Sequence, residues 1–600
     1  MPIINSSQAQ AEYDVAIVGS GAGGGQMAYT LTLAGLKCVM LEAGRHYNPD
    51  TETAMFQRPD QGPLLSTSTP DKHFGFWDAT IDGGWQVPGE PYTQASDQPG
   101  EQFWWWRARM LGGRTNHWGR ISLRNGPYDF KPHTRDGLGF DWPISYADVE
   151  PYYTKVEMLV GVYGTNEGLE NTPDSPAGVL LPAPKARAAE LYTQKHAKKL
   201  NIPVVSIHRA VLTKPLDADT IPAKLHPNNP RAQKIVGDSM RARAACFWAT
   251  HCGRGCNIRA NYQSTTVHLP PALETGNLDI IPNAHAREIL LDKNDQARGL
   301  LFIDKTTGKE ARIKAKAVVL AASSGETVRI LLNSKSARFP KGLANSSGLV
   351  GRYIMDSVGA SVGGHIPALE NLPPHNEDGA GGPHFYIPWW LYREQLAGKF
   401  NFARGYHTEM GGSRHMPTGA NPLPSDFAEG APYGTKFKAA ARRYYGSFVG
   451  YTCRGEMIPN EHSFADLDPK VKDKWGIPVL RWHWKWSDHE LNMALHAANT
   501  YAALIEAMGG TVRSKKVKNG ADLIEPGGKI IHEVGGALMG ADPRKSVCNQ
   551  WNQTWDVKNL FLCDGTGFPS NADKNPTLTI MALAWRTGDY IIDQARKGNL

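Results

Sequence analysis

The sequence lacks the long apolar runs that cross membranes. No stretch of about 18 consecutive apolar residues occurs among its 600 residues, so we expect no membrane-spanning helix. The first residues also lack a basic region followed by an apolar one. The first apolar run, Val15 to Val18, is too short for a secretory signal, and we expect no export signal in this chain.

A large excess of charge of one sign is absent too. The 65 basic and 58 acidic residues are spread along the chain and give a net charge of +7. Such a mild excess is typical of a mixed, solvated surface, and we expect no nucleic-acid partner. With 41% hydrophobic residues, the chain is long enough for two or more folded units with large cores.

Cysteine is scarce as well, which argues against a disulfide scaffold. Three of the seven cysteines nevertheless fall in one segment, CFWATHCGRGC, as Cys246, Cys252 and Cys256. Thiolates gathered in this way usually hold a metal, and three protein sulfurs suit a three-iron cluster. Other interpretations stay open: His251 joining the cysteines in a zinc site, a disulfide plus a free thiol, or inert buried thiols.

Residues 13–44 carry the pattern of a dinucleotide-binding βαβ unit. A short strand over Val15–Val18 leads into a glycine-rich turn, a helix extends to about Ala34, and a second strand over Cys38–Leu41 ends at Glu42. Strand, glycines, helix, strand and acid occur in the order that this site requires. The pattern places these residues beside the dinucleotide: Gly19, Ser20, Gly21, Ala22, Gly24, Glu42 and Ala43.

Each glycine of this turn has a physical reason. Gly19 permits the tight turn, Gly21 lets the backbone approach the pyrophosphate, and Gly24 lets the helix pack closely on the sheet. The helix N-terminus stabilises the phosphates with its free N–H groups and its dipole. Glu42 has the spacing of the acid that binds ribose hydroxyls, which argues against NADP.

The remaining motifs resemble those of the glucose–methanol–choline (GMC) oxidoreductases. They are WWWRARMLGGRTNHWGR from residue 104, paired-strand alternation over 282–320, AASSGETVRILLNS from 321, HEVGGALMG from 532, NLFLCDGTGFPS from 559 and NPTLTIMALAWRTGDYI from 575. The resemblance implies bound FAD and an α/β fold. The implied fold consists of a Rossmann-type FAD-binding domain and a second α+β substrate domain built on an antiparallel sheet.

The resemblance also implies a division of the chain. The FAD-binding domain would comprise residues 1–46, 101–150, 241–345 and 531–600, and it would carry the cysteine loop 246–256. Residues 47–100 would be an excursion that covers the flavin or contacts a partner. Residues 151–240 and 346–530 would form the substrate domain.

Site residues follow from the same motifs by position. The pair Gly112-Gly113 would pass under the flavin, and the resemblance adds these cofactor contacts: Arg114, Asn116, His117, Ala286, Asp564, Asn575, Pro576 and Thr577. In the similar pyranose 2-oxidases the histidine that matches His117 carries the flavin covalently. We expect a non-covalent contact here, and a packed core histidine is the alternative.

The catalytic pair implied by the resemblance is His532 and Asn575. Oxidation of an alcohol by a flavin needs a base for the hydroxyl proton, and histidine suits this task because its pKa lies near working pH. Asparagine cannot exchange protons, so Asn575 would position the substrate oxygen and His532 would be the sole base.

The substrate domain shows one clear strand and one clear helix. Residues 478–487 alternate between an apolar set (Leu480, Trp482, Trp484, Trp486) and a polar set, which predicts a half-buried strand in the floor of the catalytic pocket. Ser487 or Asp488 would cap a helix with the apolar stripe Leu491, Leu495, Ala498, Ala502 and Ile505. The loop-like segment 370–435 would line the substrate entrance with Trp389, Trp390, His407 and His415.

The cysteine spacing resembles that of bacterial FAD glucose dehydrogenase catalytic subunits and glucoside 3-dehydrogenases, which implies a [3Fe–4S] cluster. The leading hypothesis is therefore a dehydrogenase that oxidises a ring hydroxyl of a sugar or glycoside and passes electrons through the cluster to an external acceptor. The resemblance implies a small signal-bearing subunit, a cytochrome acceptor and co-export to the periplasm, with a cytoplasmic location as the alternative. The rival hypotheses are an oxygen-using pyranose-type oxidase without a cluster and a non-catalytic flavoprotein.

Overall fold

The computed structural model describes residues 3–53, 55, 74–76, 80–248, 252–373, 382–412, 414, 427, 433–514 and 517–600. Its strands are β1 (Tyr13–Val18), β2 (Cys38–Leu41), β3 (Phe74–Phe76), β4 (Thr80–Gly84), β5 (Thr93–Gln94), β6 (Arg107–Ala108), β7 (Val205–Ser206), β8 (Leu278–Ile281), β9 (Ala284–Leu291), β10 (Ala297–Asp304), β11 (Lys309–Leu320), β12 (Ser361–His365), β13 (Phe385–Ile387), β14 (Tyr406–Gly411), β15 (Phe448–Gly455), β16 (Phe464–Lys472), β17 (Pro478–His483), β18 (Thr511–Val512) and β19 (Leu560–Leu562). Its α-helices are α1 (Ala22–Leu33), α2 (Pro49–Glu52), α3 (Pro127–Phe130), α4 (Pro132–Asp136), α5 (Tyr146–Val160), α6 (Ala188–Ala197), α7 (Thr220–Leu225), α8 (Pro230–Arg241), α9 (Ser264–Val267), α10 (Leu269–Glu274), α11 (Ser324–Asn333), α12 (Tyr392–Leu396), α13 (Gly434–Tyr444), α14 (Asp488–Ala507) and α15 (Thr577–Arg596).

The larger sheet is built around the N-terminal βαβ unit. Its strand order is β8-β2-β1-β11-β10-β9, and β19 also pairs with β11. The strands β8, β2, β1, β11 and β19 run parallel, whereas β10 pairs antiparallel with the first half of β11, and β9 pairs antiparallel with β10. Strands β1 and β2 are buried almost throughout, as parallel strands between helices must be. The predicted Rossmann-type unit is confirmed.

The second large sheet is antiparallel and has the order β18-β12-β15-β14-β13-β7. Helix α14 packs against β12 and β15. It begins after the N-cap Ser487, whose backbone N–H donates to Glu490, so the predicted cap is confirmed. The α+β unit on an antiparallel sheet is confirmed as well.

Two details of this half differ from the sequence prediction. Strand β17 does not belong to the six-stranded sheet but pairs with β16 and β5, and Trp482 stacks on Phe103 at 4.2 Å. Trp482, Trp484 and Trp486 are therefore buried in a core and form no pocket floor. The apolar stripe of α14 is also rotated from the predicted one, because the helix is covered on the side of these residues: Met493, Ala494, Ala497, Ala498, Tyr501, Leu504 and Ile505.

The domain boundaries stay a prediction, and one packing detail differs from them. Helix α5 packs on α15, and α8 packs on α10, which itself packs on α1. Parts of 151–240 thus lie against the helices of the larger sheet, and another part, α6, packs on α14. Residues 47–100 are described only in part, and their covering role stays a prediction.

Among the described residues, no helix is both long and apolar enough to span a membrane.

Candidate active site

A cleft of about 360 Å³ runs from the N-terminus of α1 to the edge of the six-stranded sheet. Most of the predicted site residues line it: Gly19, Ser20, Gly21, Ala22, Glu42, Ala43, Gly113, Arg114, His117, Ala286, His532, Asp564, Asn575, Pro576 and Thr577. Three others do not. These three are the predicted cofactor contacts Gly24, Gly112 and Asn116; the predicted metal ligands Cys246, Cys252 and Cys256 are also not lining residues. The individual roles of these residues stay predictions.

The glycine turn has the shape that a dinucleotide needs. Gly19 has a φ of +95°, and a Cβ on it would lie 2.4 Å from the carbonyl oxygen of Ala321. A Cβ on Gly24 would lie 1.9 Å from the carbonyl oxygen of Gly19, so the helix start packs here without a side chain. A Cβ on Gly21 would meet nothing within 4 Å, because this position faces the open cleft.

Two helices begin at the cleft. Gly21 is the N-cap of α1 and forms no side-chain cap bond, and Pro576 is the N-cap of α15, also without one. Their first-turn N–H groups and helix dipoles favour negatively charged ligand groups at this place. The open Gly21 position and the N-terminus of α1 together fit the pyrophosphate of FAD, whereas α15 begins beside Asn575 at the other end of the cleft.

Glu42 lies in the cleft wall at the end of β2, as predicted. Its carboxylate accepts hydrogen bonds from Ser20 and from the N–H of Gly44 at 2.6 Å. Burial raises the pKa of Glu42, and the hydrogen bonds from Ser20 and Gly44 oppose this effect. Contact with a ribose stays a prediction for this residue.

The catalytic pair predicted from the sequence meets at the far end of the cleft. His532 Nε2 lies 3.2 Å from Asn575 Nδ2, and His532 Nδ1 lies 3.0 Å from the hydroxyl of Ser357. Because the amide nitrogen of Asn575 can only donate, Nε2 is the acceptor and Nδ1 carries the proton that is donated to Ser357. This assignment directs the basic lone pair of His532 towards Asn575 and the cleft.

Burial, together with the positive charge of Arg454, lowers the pKa of His532 to about 3. The imidazole is therefore neutral at physiological pH. The backbone N–H of His532 donates to Asp356 at 2.9 Å, which anchors the loop that carries the ring. A neutral, fixed imidazole beside a hydrogen-bonding amide is suited to accept a proton from a bound hydroxyl group.

Glu409 on β14 and Arg454 on β15 complete this end of the cleft, and sequence reasoning missed both. Arg454 donates to Glu409 Oε2 at 3.0 Å, and Asn575 Nδ2 donates to Glu409 Oε1 at 3.2 Å. Both amide protons of Asn575 are thus used, and its buried Oδ1 has no hydrogen-bond partner among the described residues. The sequence feature that could have identified Glu409 and Arg454 is a charged residue within each of the alternating segments 406–411 and 448–455.

A second missed group lies at the opposite end of the cleft. Arg109 pairs with Glu90 at 2.7 Å and with Glu326, which also pairs with Arg329 at 2.6 Å. Glu326 and Arg329 are three residues apart on α11, a spacing that places both on one face of the helix. This i, i+3 pair lies within the motif that begins at residue 321, and its spacing could have identified Glu326 and Arg329 from the sequence.

The predicted substrate entrance is wrong in part. Trp389 and His407 are buried, and neither they nor Trp390 line the cleft. Trp389 packs against Tyr406 at 5.0 Å, within an aromatic cluster. His415 lies outside the described residues.

His117 lies between the cleft and the cysteine loop. Its Nδ1 is 3.4 Å from the carbonyl oxygen of Gly253, and its Nε2 is 3.3 Å from the sulfur of Met110. Burial lowers the pKa of His117 to about 4, so the ring is neutral. Its contact with FAD stays a prediction.

The cysteine loop contains three unpaired thiols. All seven cysteines are free, so the disulfide interpretation is not supported. The N–H of Trp248 points at Cys246 Sγ (3.4 Å), the N–H of Ala260 points at Cys256 Sγ (3.3 Å), and Arg209 points at Cys252 Sγ (3.7 Å). Hydrogen bonds of this kind stabilise the sulfurs of metal-bound thiolates.

A buried arginine connects this loop to the cleft. Arg120 is completely buried and donates to the carbonyl oxygens of Cys252 (2.8 Å), Asn116 (3.1 Å) and Thr115 (3.2 Å). Burial lowers the pKa of Arg120 to about 10, and the side chain stays charged at neutral pH. Burial raises the pKa of the Cys256 thiol, and the positive charge of Arg120 opposes this effect.

The described part of the chain contains no preformed zinc site that includes the three cysteines. One zinc ion holds its thiolates about 3.8 Å apart, because Zn–S bonds are about 2.3 Å long in a tetrahedron. Within the described residues, one group of His, Cys, Asp or Glu has three ligand atoms all within 4.8 Å, namely Asp129, Glu456 and Asp573. His251 lies outside the described residues.

Two basic side chains already pair with the carboxylate group just named. The ammonium of Lys574 lies 3.1 Å from Asp129 and 2.5 Å from Asp573, and Arg135 lies 3.2 Å from Glu456. The three carboxylates therefore belong to an internal ion-pair network.

Comparison with known proteins now identifies the family. The family models described as GMC oxidoreductase match residues 22–356 and 459–584. The chain belongs to the GMC oxidoreductase family. Members of this family bind FAD and act on CH–OH groups, and the cleft described above has the residues to hold that cofactor.

Individual members align with nearly the whole chain. The chain is 27% identical over 581 residues to 2-methyl-1,2-propanediol dehydrogenase of Mycolicibacterium austroafricanum, covering 96% of this chain and 95% of that protein. It is 28% identical over 600 residues to the fructose dehydrogenase large subunit of Gluconobacter japonicus, covering 98% of each. The solved structure of pyridoxine 4-oxidase from Mesorbium loti matches the fold with a TM-score of 0.61 at 14% identity, covering 96% of this chain and 99% of that one.

Proposed function

We propose that this GMC oxidoreductase is an FAD-dependent dehydrogenase that oxidises a ring hydroxyl of a sugar or glycoside. One observation carries the proposal: His532 and Asn575 meet at one end of a cleft whose other end has the shape of a dinucleotide site. The named substrates of the two aligned relatives, 2-methyl-1,2-propanediol and fructose, support a polyhydroxylated alcohol.

In this proposal His532 acts as the base. Its Nε2 takes the proton of the substrate hydroxyl, while the hydrogen on the same carbon leaves with its electron pair and the carbinol becomes a carbonyl. Bound FAD supplies the acceptor for that hydride. Asn575 positions the substrate oxygen as a donor, because its amide nitrogen lies 3.2 Å from His532 Nε2 and would donate to the bound hydroxyl oxygen. This leaves the Nε2 lone pair to accept the hydroxyl proton.

The pH dependence of kcat/KM tests the assigned state of the base. A histidine whose folded pKa is lowered to about 3 is neutral at every pH above that value, so its protonation removes activity only below about pH 4. We expect no acid limb near the ordinary histidine pKa of about 6.5. An acid limb at that value would contradict the assignment, unless it belongs to Asp356.

Asp356 is the group that makes this distinction necessary. Burial raises its pKa to about 7, and its carboxylate accepts the N–H groups of His532 and Ile530. If the pH profile of kcat/KM has an acid limb near pH 7 and the Asp356→Asn variant lacks it, that limb reports the titration of the Asp356 carboxyl group. A limb that persists in Asp356→Asn shows that His532 itself titrates there.

We further propose that Cys246, Cys252 and Cys256 hold an iron–sulfur cluster that carries electrons from the flavin site to an external acceptor. The support is the donor set: three thiols, two N–H groups directed at sulfur, and the buried guanidinium groups of Arg120 and Arg209. In a cluster each cysteine binds a different iron, so the sulfurs need not converge as they do around one zinc ion.

Iron analysis with low-temperature electron paramagnetic resonance on anaerobically purified protein tests the cluster. We expect three irons per flavin in the wild type and loss of iron with retention of FAD in Cys252→Ala. The matched control is Cys38→Ala, a buried cysteine in β2 of the larger sheet, which should keep its iron. Iron-free wild-type protein with intact flavin would remove the cluster from the proposal.

Partners and location are parts of the same proposal. The aligned Gluconobacter protein is named a large subunit, which supports a small partner subunit for this chain. We propose co-export to the periplasm with that subunit, and a cytochrome as acceptor. Release of hydrogen peroxide in air by iron-free protein would instead favour a pyranose-type oxidase.

A further inference from the structure

The proposed mechanism gives no role to the charged pair beside the catalytic residues. Glu409 and Arg454 line the cleft beside the catalytic residues, and each side chain is 18% exposed. In the antiparallel register of β14 and β15, Arg454 lies opposite His407. Glu409, two residues further along β14, is therefore its diagonal neighbour on the same face of the sheet.

The partners of Glu409 bring it close to the reacting atoms. Asn575 Nδ2 lies 3.2 Å from Glu409 Oε1 and 3.2 Å from His532 Nε2. The carboxylate and the base are therefore separated by no more than twice this distance. A substrate with hydroxyls on two adjacent carbons can reach both groups, with the reacting hydroxyl at His532 and its neighbour at Glu409. Each O–H···O hydrogen bond adds about 2.7 Å to the distance covered.

The pair keeps hydrogen-bonding capacity towards the cleft. Arg454 has five N–H donors, and its hydrogen bonds to Cys453 O and Glu409 Oε2 use two of them. Glu409 is ionised, because Arg454 and His407 lower its pKa even though burial acts to raise it. An ionised acceptor and an ionised donor thus stand side by side next to the base.

Such a pair is complementary to two neighbouring hydroxyl groups. One hydroxyl of a vicinal diol donates to the carboxylate, while the adjacent oxygen accepts from the guanidinium. A mono-alcohol satisfies neither group, and a site built to bind a hydroxyl discriminates strongly against an analogue without it. A hydrogen bond to a charged partner is also stronger than one between neutral groups.

We infer that Glu409 and Arg454 are specificity-determining residues that select substrates with a hydroxyl on the carbon next to the oxidised one. The inference rests on the proposed function and narrows it to vicinal diols, including the ring diols of sugars. Glu409 and Arg454 bind the neighbouring hydroxyl, whereas His532 takes the proton of the reacting one.

The experiment compares a sugar with its deoxy analogues, and 1,2-propanediol with 1-propanol, in anaerobic stopped-flow measurements of flavin reduction. For the wild type we expect a kcat/KM at least roughly 10-fold higher for the vicinal member of each pair. Glu409→Gln, whose amide oxygen can still accept from Asn575, and Arg454→Met should lower kcat/KM for the diols roughly 10- to 100-fold. The loss should be larger for the diols than for the mono-alcohols, so the ratio of their kcat/KM values should fall, and the additional loss for the diols should lie mainly in KM.

The matched control is the cross-strand pair of Asp466 and Arg481, which joins at 2.7 Å in the three-stranded sheet outside the cleft. Asp466→Asn and Arg481→Met should leave the discrimination unchanged. Thermal midpoints establish that all four variants are folded.

The outcomes separate this inference from the proposed function. Equal rates for diols and mono-alcohols in the wild type, or equal losses for both in Glu409→Gln and Arg454→Met, would overturn the inference and leave the dehydrogenase proposal standing. Failure of every alcohol to reduce the flavin would overturn both.

Discussion

Replacing His532 with alanine should slow flavin reduction by substrate roughly 10²- to 10⁴-fold, which is the range that general-base catalysis contributes. The reason is that the imidazole of His532 is neutral and its Nε2, 3.2 Å from Asn575 Nδ2, has the lone pair that accepts the hydroxyl proton. Bound FAD should remain, because the pyrophosphate end of the cleft is formed by the glycine turn and not by this loop. Anaerobic stopped-flow absorbance measures the rate, and the visible flavin spectrum measures the retention.

The control for this variant is His462→Ala, because His462 is an exposed histidine away from the cleft. It should reduce flavin at the wild-type rate. A wild-type rate in His532→Ala would refute the assignment of His532 as the base. Loss of FAD together with activity would instead assign His532 to cofactor binding.

Replacing Gly21 with valine should raise the Kd for FAD at least about 100-fold, equivalent to about 2.8 kcal/mol. A Cβ here would meet no protein atom within 4 Å, so we expect the fold to tolerate valine, whose side chain would fill the space where the pyrophosphate approaches the backbone. Titration of apoprotein with FAD, followed by flavin fluorescence, measures the change.

Gly100 offers a matched control, since its Cβ would also meet nothing within 4 Å and it lies outside the cleft. Gly100→Val should bind FAD like the wild type. If Gly21→Val also bound FAD normally, the dinucleotide would not pass over this turn and the placement of the cofactor would be wrong.

The local rules that act over a few residues predicted the nucleotide-binding half well. Strand, glycine turn, helix and acid follow each other within residues 13–44, and the observed β1, α1 and β2 lie at the predicted places. The cap at Ser487 was found for the same reason, since capping depends on neighbours three residues apart.

Features that depend on distant segments were missed. The alternation of residues 478–487 correctly predicted a strand with one buried face, but alternation does not determine which sheet a strand joins. Pairing with β16 and β5 was therefore out of reach. Glu409 and Arg454 become neighbours through the register of β14 and β15, which are separated by 36 residues, and no local signal contains that register.

The stripe of α14 shows the same limit on a smaller scale. Several registers of small and apolar residues fit a helix as rich in alanine as this one. The six-stranded sheet decides which face is covered, and it selects the face of Ala497 and Tyr501 over that of Leu495 and Ala502.

The most direct test of the central claim is anaerobic mixing of the purified, FAD-loaded wild type with a panel of sugars, glycosides and small diols while the flavin spectrum is recorded. The account predicts that at least one polyhydroxylated alcohol bleaches the oxidised flavin rapidly and completely, with conversion of one hydroxyl to a carbonyl. If no member of the panel bleached the flavin, the cleft around His532 would not be the alcohol-oxidising site proposed for this chain.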